Sequence, residues 1–178
     1  MFYIADTDTV GYKKCIILVE GEDGTFLPKE CIVELEVPKG AKIVKVWPNN
    51  KMRCDKAIVK AMFLPSKDAL DKETVAYSIS DFFYYVWDLD TDTDKMDEYK
   101  KIVDEIKKRC FKYIVGETVI PDNFFDENPH IACSSGIHYF DSFSKALNYS
   151  GVDSHITIIN NFFIKYNSVI DMPNGGKE

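Results

Sequence analysis

The run Cys133-Ser-Ser-Gly-Ile-His-Tyr-Phe140, followed by Asp141-Ser-Phe-Ser-Lys-Ala-Leu-Asn-Tyr149, gathers a thiol, an imidazole and two tyrosines around one strand–helix junction. A turn of small residues feeds a short aromatic strand that stops at once on a helix start. Backbone N–H groups, His138, Tyr139 and Tyr149 are thereby brought close together, in the kind of place where ligands are held. The two-residue period of a strand puts His138 and Phe140 on one face and Ile137 and Tyr139 on the other. Histidines 130, 138 and 155 are of a type that serves acid–base work or metal binding. They are isolated, with no close carboxylate partner in sequence, so each reads as a hydrogen-bonded structural or surface residue. Cys133 would be a nucleophile if a helix N-terminus lowered its pKa, and an inert buried thiol otherwise. No catalytic residue and no metal ligand is assigned.

The second chemical feature is charge. Between Lys39 and Lys60 stand seven cations (Lys39, Lys42, Lys45, Lys51, Arg53, Lys56, Lys60) and one anion, Asp55. That local +6 leaves −13 for the rest of a chain whose total is −7. If residues 42–47 and 54–60 form a hairpin, Lys51 and Arg53 lie near its turn and several lysine heads converge. Arg offers a planar fork to a phosphate or carboxylate and Lys a point charge. The same lysines on an exposed strand would only keep an edge soluble. Lys14, Arg53, Lys56, His138, Tyr139 and Tyr149 are the expected ligand contacts. From Asp88 to Glu98 the charge reverses, with six acids against Lys95. Asp88-x-Asp90-x-Asp92-x-Asp94 has the look of a calcium loop. Thr93 and Tyr99 replace the turn glycine and the bidentate glutamate it would need, so it reads as a solvated acidic loop.

The elements that must position these groups alternate between sheet and helix. Cys15–Val19 is an apolar strand closed by Asp23-Gly24, and Thr25–Leu27 a short return before Pro28. Cys31–Val37 alternates and stops at Pro38-Lys-Gly40. Lys42–Trp47 is a strand, and Cys54–Leu64 is read as another. Asp81-Phe-Phe-Tyr-Tyr-Val-Trp87 is too aromatic to leave in water. Met96, Tyr99, Val103, Ile106 and Cys110 then mark one face of a long amphipathic helix, about 95–110. It is capped by Asp94 or Thr93 and laced by Asp97–Lys101, Asp104–Lys108 and Glu105–Arg109 pairs. Phe111–Val115 reads as a strand continued by Glu117–Ile120, and Ile137–Phe140 as a short one. A short helix, about 143–150, runs from Ser142 as N-cap to Gly151 as its stop. His155–Tyr166 reads as a long strand, and the tail from Pro173 as frayed. The fold class is α+β, a single domain over 1–178, mainly antiparallel sheet.

Composition bounds the rest. A chain of 178 residues with 46% hydrophobic and 13% aromatic content is long and apolar enough to bury a core. Five cysteines at 15, 31, 54, 110 and 133 form no C-x-x-C pair and read as reduced thiols. No apolar run reaches the ~20 residues of a membrane span, and the start lacks the basic region of a signal peptide. The net charge argues against general nucleic-acid binding.

The order of segments resembles an uncharacterised domain of phages and giant viruses, often found ahead of pentapeptide repeats. The residues that carry it are Gly11-Tyr-Lys-Lys-Cys15, Ile32-Val-Glu-Leu-Glu-Val-Pro-Lys-Gly-Ala-Lys42 and Arg53-Cys-Asp-Lys-Ala57. Tyr113-Ile-Val-Gly-Glu-Thr-Val-Ile-Pro-Asp-Asn-Phe-Phe-Asp126 and Cys133–Phe140 complete it. Residues 66–109 then read as an insertion. A second, local resemblance joins Gly136–Tyr149 to ADP-ribosyltransferases, implying that His138 or Tyr139 and Tyr149 enclose nicotinamide. No glutamate lies between 128 and 177 to match that family's catalytic one, so a nucleotide pocket fits better than an enzyme.

These features converge on a viral accessory protein of the host cytoplasm, with an anti-defence role in view, that acts by binding and needs no cofactor. Its partner would be a nucleotide-like small anion or a host protein, with no membrane and no general nucleic-acid binding; self-association stays open. The alternatives are an ADP-ribosyltransferase-like enzyme using NAD, and a structural virion or interaction module.

Overall fold

In the computed structural model, residues 1–87 and 96–170 are described. The acidic loop at 88–95, the helix cap at Asp94 or Thr93, and the frayed tail from Pro173 lie outside them. The architecture is α+β, with two antiparallel sheets and, among the described residues, four helices. The first sheet has the order β1-β4-β5-β10. Its strands are β1 (Phe2–Ile4), β4 (Lys42–Lys45), β5 (Met52–Cys54) and β10 (Ile137–Tyr139). The second runs β8-β7-β2-β3-β6-β9, built from β2 (Thr9–Glu20), β3 (Phe26–Val37), β6 (Ala57–Phe63), β7 (Val75–Tyr77), β8 (Lys112–Ile114) and β9 (Thr118–Val119). The helices are α1 (Ile79–Trp87), α2 (Met96–Arg109), α3 (Phe143–Leu147) and α4 (Asp153–Ile170).

The residues group into two compact units. The first comprises Met1–Cys15, Glu30–Ala76 and Tyr113–Tyr149 and holds all the expected ligand contacts. Its interior is strand-borne: Ile32, Val33, Leu35, Val37, Ile43, Val44, Val59 and Met62 are all buried. Ile32, Phe140 and Ala146 form a cluster on which Tyr12, Phe143, Leu147 and Tyr149 pack. Ser142 caps α3 as its spacing implies, accepting the Lys145 N–H on its side chain.

The second unit comprises Ile16–Lys29, Tyr77–Lys112 and Ser150–Glu178. The aromatic segment 81–87 enters α1, and Phe82 meets Phe163 of α4 at 6.0 Å between ring centroids. Tyr99 of α2 meets Phe162 at 5.2 Å. The expected stripe of α2 is buried at Tyr99, Val103 and Ile106, with Cys110 just past the end of the helix. Arg109 pairs with Glu105 at the expected spacing.

Several boundaries differ from the sequence expectation. His155–Tyr166 is not a strand but the core of α4. Its buried positions are Ile159, Phe162, Phe163 and Tyr166, a three-and-four spacing that overrides the β-branched alternation around Ile156 and Ile158. The helix after Ser142 ends at Leu147, with Asn148 as its cap, three residues before the expected end at 150. Residues 42–45 pair with 52–54, not with 54–60. Asp55 closes that ladder: its carboxylate accepts the Lys42 N–H at 2.9 Å and its N–H donates to the Lys42 carbonyl at 3.2 Å. Beyond this corner β6 pairs with β3, from Ile32↔Phe63 to Glu36↔Ile58. Glu117–Ile120 does not continue the preceding strand. Gly116 turns the chain at φ +91°, and β9 pairs with β6.

Candidate functional site

The five motif segments, scattered from residue 11 to residue 140, meet around β10. Its register is Ile137↔Cys54, His138↔Arg53 and Tyr139↔Met52. Tyr12 of β2 exchanges both backbone hydrogen bonds with Phe140, each 2.8 Å. Lys13 donates to the His138 carbonyl at 3.1 Å. Ile32 lies in the cluster under Phe140.

Arg53 is fully buried. Its Nε donates to the Asp126 carbonyl at 2.9 Å, Nη1 to Ile131 at 2.6 Å and Nη2 to Asn128 at 2.6 Å. The planar fork that the sequence offers to an anion is spent on three main-chain oxygens of one loop. Asp126 organises the same loop: it accepts the Asn128 N–H at 2.9 Å and the Ser134 hydroxyl. Those two donors, with Arg53 behind them, hold its carboxyl below the usual range. Arg53 is therefore a structural clamp, its three donor nitrogens each engaged by a main-chain oxygen of the loop.

His138 shares that side of the strand. Its Nε2 lies 2.7 Å from the Ser134 carbonyl, which can only accept, so Nε2 carries the proton. Burial, followed by the charges of Lys13 and Lys51, pushes the imidazole pKa down from 6.5 to about 3. The ring is neutral, and its Nδ1 is a buried acceptor without a hydrogen-bond partner among the described residues. That is the wrong state for a general acid at neutral pH.

Two lysine heads reach Tyr149, one at its main-chain carbonyl and one at its hydroxyl. Lys14 donates to the Tyr149 carbonyl at 2.9 Å and sits 3.4 Å from Glu30. Lys51 donates to the Tyr149 hydroxyl at 3.2 Å, with its ammonium 5.0 Å from the ring centroid. Phe140 meets the same ring at 5.0 Å. Tyr139 points the other way, deeply buried against Gly11, where a Cβ would stand 2.3 Å from its Cδ2. Phe140, not Tyr139, is thus the aromatic neighbour of Tyr149. Lys56 lies in the bend between β5 and β6, half-buried. Of the expected contacts, Lys14 and Tyr149 meet directly, and His138 lies close enough to Lys51 to feel its charge.

Sequence reasoning missed Lys13 and Lys51 as members of this group. Lys51 was legible in the basic segment, but its approach to Tyr149 depends on the β5–β10 pairing. Cys133 is exposed, while Cys54 is buried with its thiol pushed up to about 12. Among the described residues no His, Cys, Asp and Glu grouping could hold a metal ion, and no helix is long and apolar enough to cross a membrane.

Comparison with known proteins adds a family and a relative. The family described as "Family of unknown function (DUF5758)" matches residues 2–91. That span carries Lys13, Lys14, Lys51 and Arg53, while β10 and Tyr149 lie beyond it. The "Uncharacterized protein L223" of Acanthamoeba polyphaga mimivirus is 35% identical over 126 residues, 67% of this chain. The chain spans 62% of the length of that relative. No solved structure matches.

Proposed function

We propose a function from one premise: the chain belongs to the family of unknown function DUF5758. It acts by binding, as an accessory protein of viral type. Its ligand is a small anion of the phosphate or nucleotide class, held by Lys51 and Tyr149 with Lys13 and Lys14 behind them. The observation that carries this reading is the environment of Lys51. Its ammonium meets a neutral hydroxyl and an aromatic ring, and among the described residues no carboxylate lies within ion-pair distance of it. Among the described residues, Glu30, at 3.4 Å from Lys14, is the one carboxylate in ion-pair contact with Lys14 or Lys51. An uncompensated cation beside further lysines raises the local potential and favours an arriving anion. Binding without catalysis fits a neutral, carbonyl-tethered His138 and a thiol at Cys54 that stays protonated.

The test is a thermal-shift screen with pyrophosphate, ADP, ADP-ribose and cyclic dinucleotides. Ligand at about a hundred times its Kd stabilises a protein by about 2.7 kcal/mol, which raises Tm by several degrees. The shift should vanish in Lys51→Ala and persist in Lys56→Ala. A screen in which none of these anions raises Tm overturns the small-ligand reading.

A further inference from the structure

β2 and β3 lie side by side in the second sheet, and the turn between them fixes their register. The Gly21 N–H donates to the Thr25 carbonyl at 2.8 Å. The Gly24 N–H closes on the Gly21 carbonyl at 3.1 Å, with φ +81° at Gly24. Six residues back from Gly21 stands Cys15, and six on from Thr25 stands Cys31. Contacts farther along the strands keep that count. Glu34 sits against the Tyr12 hydroxyl, directly opposite, and Lys14 pairs with Glu30 across the diagonal at 3.4 Å. Tyr12 turns both backbone groups to Phe140 and away from β3. Tyr12 and Glu34 therefore face each other without exchanging backbone bonds, and three steps on Cys15 and Cys31 form a hydrogen-bonded pair.

Opposite residues of an antiparallel pair project from the same face, so the two thiols share one side of the sheet. Both are fully buried and free, and both belong to the first unit. A hydrogen-bonded pair holds its Cα atoms about 5.5 Å apart, inside the window a disulfide requires. Its Cβ atoms would have to close by about 1 Å. Burial pushes the Cys15 thiol up to about 12. Burial, followed by the nearness of Cys15, pushes Cys31 well above its ordinary value. Neither is a nucleophile at neutral pH once the strands are covered.

We propose that Cys15 and Cys31 form a disulfide, closed while the chain folds under oxidising conditions and sealed in when β2 and β3 are buried. The oxidant is a low-molecular-weight disulfide of the glutathione type. One cysteine thiolate attacks it, expelling one glutathione thiolate and leaving a mixed disulfide on the protein. The second cysteine thiolate attacks the protein sulfur of that bond and expels the other glutathione. Two protein thiols are oxidised, one glutathione disulfide is reduced to two glutathiones, and the two protons pass to the departing thiolates. The pair thus records the redox conditions met during folding, and the folded chain shields that record from later oxidants and reductants.

Cys133→Ser removes the exposed thiol from the exchange. This full-length variant, denatured and refolded with reduced and oxidised glutathione, should yield tryptic peptides 15–29 and 30–39 joined through their cysteines. Refolded with reduced glutathione alone, it should yield them separate, and they should stay separate when oxidised glutathione is added to the native protein. The joined form should melt several degrees higher, and dithiothreitol should reverse that rise only in the presence of denaturant. Cys31→Ala on the same background should lose the rise. If that variant fails to refold, the peptide map of Cys133→Ser decides alone. Peptides 15–29 and 30–39 that stay separate after oxidative refolding, or that join instead to Cys54 or Cys110, overturn the proposal. A native reduced chain that oxidises as readily as the unfolded one overturns the sealing.

Discussion

Gly136 and Arg53 are packed so closely that a Cβ on the glycine would stand 3.0 Å from Arg53 Cδ and 3.1 Å from Phe125 Cε2. Gly136 also has φ +150°, a conformation that L side chains rarely adopt. Gly136→Ala should therefore cost about 1–3 kcal/mol in chemical denaturation, through strain and displacement of the clamp. A change below about 0.5 kcal/mol would mean that the clamp yields freely.

Arg53→Ala should destabilise by about 3 kcal/mol or more, because it strands the carbonyls of Asp126, Asn128 and Ile131 together. Arg53→Lys should recover little, since one ammonium cannot span three oxygens held by a planar fork. Hydrogen exchange should rise in residues 126–135 before it rises in β2 and β3. Uniform exposure of all three regions would contradict a local clamp.

Acid should weaken the fold through His138. Its folded pKa, about 3, lies below the unfolded value of 6.5, so the unfolded chain binds the extra proton between those limits. The contribution is complete above pH 6.5 and is lost as pH falls toward 3, at up to about 1.4 kcal/mol per pH unit. His138→Gln keeps an N–H for the Ser134 carbonyl and should flatten the stability–pH curve in that window. An identical slope in both proteins would show that the imidazole titrates normally.

The proposed anion site should also show itself in salt dependence. Tyr149→Phe removes the hydroxyl that receives Lys51 and should weaken ligand affinity by about 0.5–1.5 kcal/mol. Lys51→Ala should cost more and reduce the dependence of affinity on ionic strength, because a partly buried charge is lost. Equal affinities for wild type and Lys51→Ala, measured by calorimetry with pyrophosphate, would exclude this lysine.

Phe163 tests the helical assignment of the last element. It is fully buried and meets Phe26, Phe82, Phe162 and Tyr166. Phe162→Ala and Phe163→Ala should each cost about 3–5 kcal/mol, while Ile164→Ala at an exposed position should stay within about 0.5 kcal/mol. A strand would bury alternate residues and make neighbours such as Phe162 and Phe163 unequal, whereas the helix buries both.

What short-range physics controls is legible in the chain alone. The α+β class, α2 with its buried stripe, the Ser142 cap, the turn at Gly40 and the face alternation of β10 follow from spacing and backbone chemistry within a few residues. Everything that depends on who pairs with whom emerges only in the folded molecule. His155–Tyr166 has β-branched residues that suit a strand, yet its burial against α1 and α2 selects the helical period. Arg53 reads as a free fork in one dimension, but the β5–β10 register carries it to three carbonyls more than seventy residues away. Lys51 reads as one cation in a basic run, and only the meeting of β5, β10 and the end of α3 sets it against Tyr149. Local preference is written in neighbouring residues, whereas the burial of a charge depends on which distant backbone groups arrive to satisfy it.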